Sequence, residues 1–213
     1  MTTSSNFFPG LIYCDDALLV ADKPAGMLAV PGRGEDKQVC FSARIQQQFP
    51  DALVVHRLDM ATSGLMLFAR GMETQRRLSQ MFREREMEKR YIAVIAGKPD
   101  SAGEIDLPLA ADWPNRPRQK IDQTSGKRSL TRYRLLTHDA GADTSRVELE
   151  PVTGRTHQLR VHMSAIGHPI LGDALYGGKA SGSAARLMLH ANALSFAHPL
   201  TGQQLGFESG PLF

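Results

Sequence analysis

Apolar residues along this chain fall in short runs separated by glycine, proline and aspartate, the rhythm of strands and turns with a few short helices between them. Leu11 to Cys14 and Leu18 to Ala21 form two such runs, split by Asp15-Asp16, and Lys23-Pro24-Ala25-Gly26 marks a tight turn after them. Val39 to Phe49 carries helical spacing that Pro50 stops. Val54-Val55 and Leu65 to Ala69 are β-prone runs on either side of a polar stretch. Met72 to Arg85 puts Leu78, Met81 and Phe82 on one helical face and Arg76, Arg77 and Arg83 elsewhere, which fits a solvated face and a phosphate-facing one equally.

Lys89 to Ala96 has the pattern of a buried strand, and residues 97–100 turn the chain. Residues 112–120 are expected to be an irregular loop, because Pro114 and Pro117 remove donors and fix φ. Ser129 to Leu136 and Arg146 to Pro151 alternate like a hairpin around residues 139–144. Thr156 is placed to cap a helix from His157 to Ile166 that Gly167 ends, and His157 and His162 suit surface or capping positions. Arg186 to Phe196 supplies a last strand, then a turn and an irregular tail over 205–213. The sum is an α+β fold with a mixed, mostly antiparallel sheet.

Composition narrows this without redirecting it. At 213 residues one core-bearing domain over 11–213 is expected, after a flexible start at residues 1–10. No apolar run approaches the roughly 18 to 20 residues of a membrane helix, and Met1 to Pro9 lacks a secretory pattern, so a soluble cytoplasmic protein is expected. Cys14 and Cys40 suit free thiols in a reducing compartment, and the histidines lack metal-ligand spacing. Net charge is only +3, but Asp112 to Arg134 holds seven cations against two acids, so this segment is more positive than the whole. Trp113 with Arg116, Arg118 and Lys120 suits stacking on an unpaired base and holding phosphates, slightly ahead of a plain proline-rich turn.

Candidate chemistry centres on residues 54–70, where Asp59 sits in the polar stretch beside His56 and Arg57, ahead of Thr62-Ser63-Gly64. A lone Asp there would ordinarily be a turn former. A second cluster, Gly154-Arg155-Thr156-His157-Gln158-Leu159-Arg160-Val161-His162, changes that weighing. The two together resemble the paired signature of the RluA family of pseudouridine synthases, and Lys89-Arg90-Tyr91, Gly167 to Asp173 with Tyr176-Gly177, and Arg186 to Ala191 are similar to further family segments.

The resemblance implies a single catalytic domain with a central cleft and flanking helices, isomerising uridine in RNA without metal or cofactor. It implies Asp59 as the essential carboxylate, as nucleophile or base at the sugar, with Arg155 as its ion-pair partner. Tyr91 would lie against the uracil, Arg57 would enter the gap left by the flipped base, and Leu189 would wall the uracil pocket. Residues 112–120 make the chain similar to members that modify both 23S rRNA and the tRNA anticodon stem-loop, with no membrane or protein partner required. Two other classes share features. A non-catalytic RNA-binding module would use the same arginines but has no need of Asp59, and a glycoside hydrolase needs a second carboxylate, for which Asp173 is the nearby candidate.

Overall fold

The computed structural model describes residues 10–213, so the expected flexible start lies almost wholly outside the described residues. The fold is α+β, as expected, and its contacts divide it into two compact units. One runs to Met87 and includes Leu194–Ser209; the other comprises Glu88–Ala193 and Gly210–Phe213.

In the first unit β1 (Leu11–Cys14) and β2 (Leu18–Lys23) form a hairpin, α1 (Phe41–Gln48) follows, and β3 (Ala52–Val54) leads by way of the Asp59 loop to β4 (Ser63–Arg70) and α2 (Met72–Glu84). β4 runs antiparallel to both β2 and β3, pairing Val20 with Leu67 and Val54 with Phe68. Every β4 residue except Arg70 is buried, as are Leu18 to Ala21, so both strands are apolar on each face. Leu78 of α2 closes the core over Leu65, Leu67, Val20 and Phe196. Its arginines divide: Arg77 is tied to Glu73 and to the Pro199 carbonyl, while Arg76 and Arg83 are exposed.

The second unit contains β5 (Glu88–Ala96), β6 (Ala102–Asp106), β7 (Leu109–Ala111), β8 (Gln119–Ile121), β9 (Leu130–Asp139), β10 (Thr144–Pro151), α3 (Gln158–Ala165) and the start of β11 (Leu189–Ala197). β5, β10, β9 and β6 lie side by side in that order, antiparallel throughout, and β7 and β8 form a separate ribbon. Cross-strand pairing puts Tyr91, Leu149, Tyr133 and Gly103 in one row. Gly103 leaves room for the Tyr133 ring there, since a Cβ would come within 2.7 Å of its hydroxyl and the ring would have to move.

Four local expectations need correction. Trp113–Asn115 is a short 3₁₀ turn and Gln119 and Lys120 belong to β8, so 112–120 is irregular only in part, because the prolines sit in the turn and the ladder starts beyond them. Residues 204–208 form β12 (Gln204–Glu208), an edge strand on the end of β11 within the first unit, with Phe207 packed on Phe196 and Tyr13. Thr156 does not cap α3: the N-cap residue is His157, with φ of 55°, and no side chain caps the helix. His162 is fully buried instead of exposed.

Candidate active site

The Asp59 loop hangs between β3 and β4, and three contacts fix its shape. His56 stacks on Phe82 at 4.7 Å, and its Nε2 accepts the Leu67 N–H at 2.9 Å, so that nitrogen carries no proton. The Thr62 N–H donates to the Asp59 carbonyl at 3.1 Å, and Gly64, at φ of 114°, lets the chain enter β4 through a backbone conformation other residues avoid. Leu58 and Thr62 are buried while Arg57 and Met60 are exposed, so Leu58 anchors the loop and Arg57 projects from it. Asp59 itself is half-buried.

Beneath this loop lies Lys23, a residue the sequence shows only as punctuation before a turn. Its side chain is fully buried, and its ammonium donates to the carbonyls of Pro24 and Met27 at 2.8 Å and of Met60 at 3.2 Å. Burial pushes its pKa down from 10.5 to about 8, and the Asp59 and Asp22 carboxylates pull the other way. Lys23 therefore supplies the first unit with a desolvated positive charge electrostatically coupled to Asp59. It also grips the peptide immediately after the catalytic candidate.

The second unit holds the other candidates. Tyr91 is half-buried on β5 opposite Leu149, and Leu189, at the start of β11, is buried. The 154–162 motif is built around Gln158. Its buried amide oxygen accepts the Thr153 hydroxyl at 2.7 Å and the Arg155 N–H at 3.1 Å, and its nitrogen donates to the Leu130 carbonyl and the Thr131 hydroxyl. His162 reaches the same strand, with Nδ1 at 2.9 Å from the Thr131 hydroxyl and Nε2 at 3.0 Å from the Leu107 carbonyl, and desolvation lowers its pKa.

The motif's two arginines differ. Arg155 is exposed, its Nε donating to the Arg128 carbonyl at 3.4 Å. Arg160 is buried, and Asp173 takes its Nε and Nη2 in a fork at 2.7 Å each, while its guanidinium also faces the Tyr176 ring at 5.1 Å. Burial would raise the Asp173 pKa, but its bonds from Arg160 and from the Leu175 and Tyr176 amides bring it below the usual carboxylate range. Asp173 is thus a structural anion, committed to Arg160 and poorly suited as a second catalytic carboxylate.

The basic segment is less uniformly positive than its composition. Lys120 pairs with Asp122, Arg128 with Asp106, Arg132 with Glu104 and Glu150, and Arg134 with Glu148. The amide and hydroxyl of Ser125, with the Thr124 amide, hold Asp122 down to about 2, so it stays ionised beside Lys120. Arg116 and Arg118 make no ion pair among the described residues. Arg116 lies over the exposed Trp113 ring at 4.6 Å, which presents an aromatic plane with cations beside it. Among the described residues no cluster of His, Cys, Asp or Glu could hold a metal ion, and no helix is long and apolar enough to cross a membrane.

Residues 17–165 match the RNA pseudouridylate synthase family. The chain is 48% identical over 201 residues to the dual-specificity RNA pseudouridine synthase RluA of Escherichia coli strain K12, covering 93% of this chain and 91% of that protein. It is 44% identical over 207 residues to the RluA of Haemophilus ducreyi, covering 95% and 93%. Among solved structures, human RNA pseudouridylate synthase domain containing 1 superposes with a TM-score of 0.78 at 30% identity, over 95% of this chain and 83% of that one. A half-buried Asp in the expected loop, an ordered 154–162 motif and similarity of this extent agree: the chain belongs to the RluA family of pseudouridine synthases, isomerases that act on uridine in RNA.

Proposed function

We propose that this chain isomerises uridines in stem-loops of two RNAs, 23S rRNA and the tRNA anticodon arm, working in the cytoplasm without cofactor or obligatory protein partner. The observation that carries this is near half identity, along almost the whole chain, to relatives named dual-specificity. Asp59 acts ionised at the ribose of a flipped uridine, while Tyr91 and Leu189 bound the uracil and Arg57 fills the vacated stack. Arg116, Arg118, Lys120 and Trp113 hold the loop by phosphate contacts and stacking. The reaction breaks N1–C1′ and forms C5–C1′, returning the C5 hydrogen to solvent as a proton while N1 gains one. Tritium release from C5-labelled uridine, with pseudouridine mapped in each purified RNA, tests the reading; wild-type protein silent on both RNAs would end it.

Two predictions follow from the cations. Arg116→Ala and Arg118→Ala should each weaken stem-loop binding and flatten the log K against log salt line by about 0.7 to 0.9, one phosphate's worth. Binding titrations over a salt series read this directly. Arg155→Ala, if its guanidinium opposes Asp59 in the reaction, should lower kcat about 10²-fold with an unchanged melting temperature. A raised KM with kcat retained would remove Arg155 from the chemistry and make it an RNA-holding cation.

A further inference from the structure

Tyr176 occupies a junction that the reaction scheme leaves without a role. Its hydroxyl lies 2.7 Å from the Gln119 backbone nitrogen, which donates to it, and 2.7 Å from His157 Nδ1. Gln119 is the first residue of β8, directly between Arg118 and Lys120, whereas His157 is the left-handed residue that opens α3. The Tyr176 ring packs edge-on against His157 and faces the Arg160 guanidinium. Its own backbone is pinned, the amide by Asp173 at 3.1 Å and the carbonyl by Ser164 Oγ at 3.0 Å.

The Gln119 amide can only donate, so the phenol oxygen accepts there, and the tautomer of His157 sets the direction of the bond at its Nδ1. A phenylalanine would fill the same space and leave the ring over Arg160, but it would cut the bonds that join β8, between Arg118 and Lys120, to the start of the motif helix. We infer that Tyr176 is a positioning residue for RNA. Its hydroxyl fixes where Arg118 and Lys120 stand relative to the 154–162 motif, so that a loop gripped by the basic segment presents its uridine in register.

This rests on the RNA-modifying reading above, and the test separates the two. Tyr176→Phe in the full chain should raise KM for a stem-loop substrate about tenfold while kcat stays within about twofold. In a double-mutant cycle, Arg118→Ala should cost about tenfold in binding in the wild-type background and under about threefold beside Tyr176→Phe. His157→Phe removes the hydroxyl's other partner while leaving the tyrosine and the Gln119 amide in place and should reproduce the KM effect, which covers a Tyr176→Phe chain that folds poorly. A fall in melting temperature with unchanged KM, or additive losses, would make the hydroxyl merely structural and overturn the proposal. Absence of tritium release from wild-type protein would instead strike the functional reading, since the binding cycle needs no turnover.

Discussion

Asp59→Ala is expected to abolish pseudouridine formation, on the order of 10⁴-fold in kcat, while stem-loop binding stays the same or tightens. The asymmetry comes from charge. Asp59 is an acid two residues from the exposed Arg57, so its loss removes a group that repels phosphate and leaves Arg116, Arg118 and Trp113 unchanged. Its side chain is half-buried, and the carbonyl that receives the Thr62 amide survives substitution, so the loop should keep its shape. Parallel tritium-release and filter-binding measurements check both halves. A variant that binds normally and still turns over would remove Asp59 from the chemistry, and one that stops binding would recast it as a structural group.

Lys23→Met is expected to damage stability and turnover together. Methionine matches the length of the lysine stem but leaves the carbonyls of Pro24, Met27 and Met60 without this donor, at a cost of about 2–4 kcal/mol after relief from burying a charge. Because the ammonium holds Met60 beside Asp59, a displaced loop should also lower kcat about 10²-fold.

The pH dependence gives a second reading of the same residue. The folded pKa of about 8 lies below the 10.5 of a free lysine, so between these values the unfolded chain binds more protons. Lys23 therefore makes stability rise with pH across that window, and its burial penalty is fully present below pH 8. Urea unfolding at pH 7.5, 9 and 10.5 should show that rise in the wild type and lose Lys23's share of it in Lys23→Met; an unaltered slope would mean that Lys23 is not the buried cation described.

How much of this was legible depended on how far each residue's partners lie along the chain. The β4 strand was visible as a continuous apolar run, since burial on both faces leaves no alternation to detect, and α1 stops at Gln48, just short of Pro50. The Asp59 loop followed from the two runs around it. Lys23 was missed because its chemistry depends on carbonyls up to 37 residues away, and nothing beside it in the chain announces burial. His162 is similar: its partners Thr131, on β9, and Leu107, between β6 and β7, lie 31 and 55 positions back, and only folding brings them to it.

The β12 strand carries a weak signal in its sequence. Leu205 and Phe207 alternate with polar neighbours, but Gly206 between them favours a turn until the end of β11 offers a pairing edge. The motif arginines show the opposite limit. Residue type alone makes Arg155 and Arg160 equivalent, and only the bidentate contact with Asp173 distinguishes a buried guanidinium from an exposed one.

The apolar β4 strand also governs how the enzyme dies on heating. A loop sprung from a strand solvated on one face could fray and lose activity well before the protein melts. Here the loop that carries Asp59 is tethered to a strand buried up to Arg70 through the His56–Leu67 bond. Heat inactivation and cooperative melting of this unit are therefore expected to share one midpoint, with no warm interval of folded but idle enzyme.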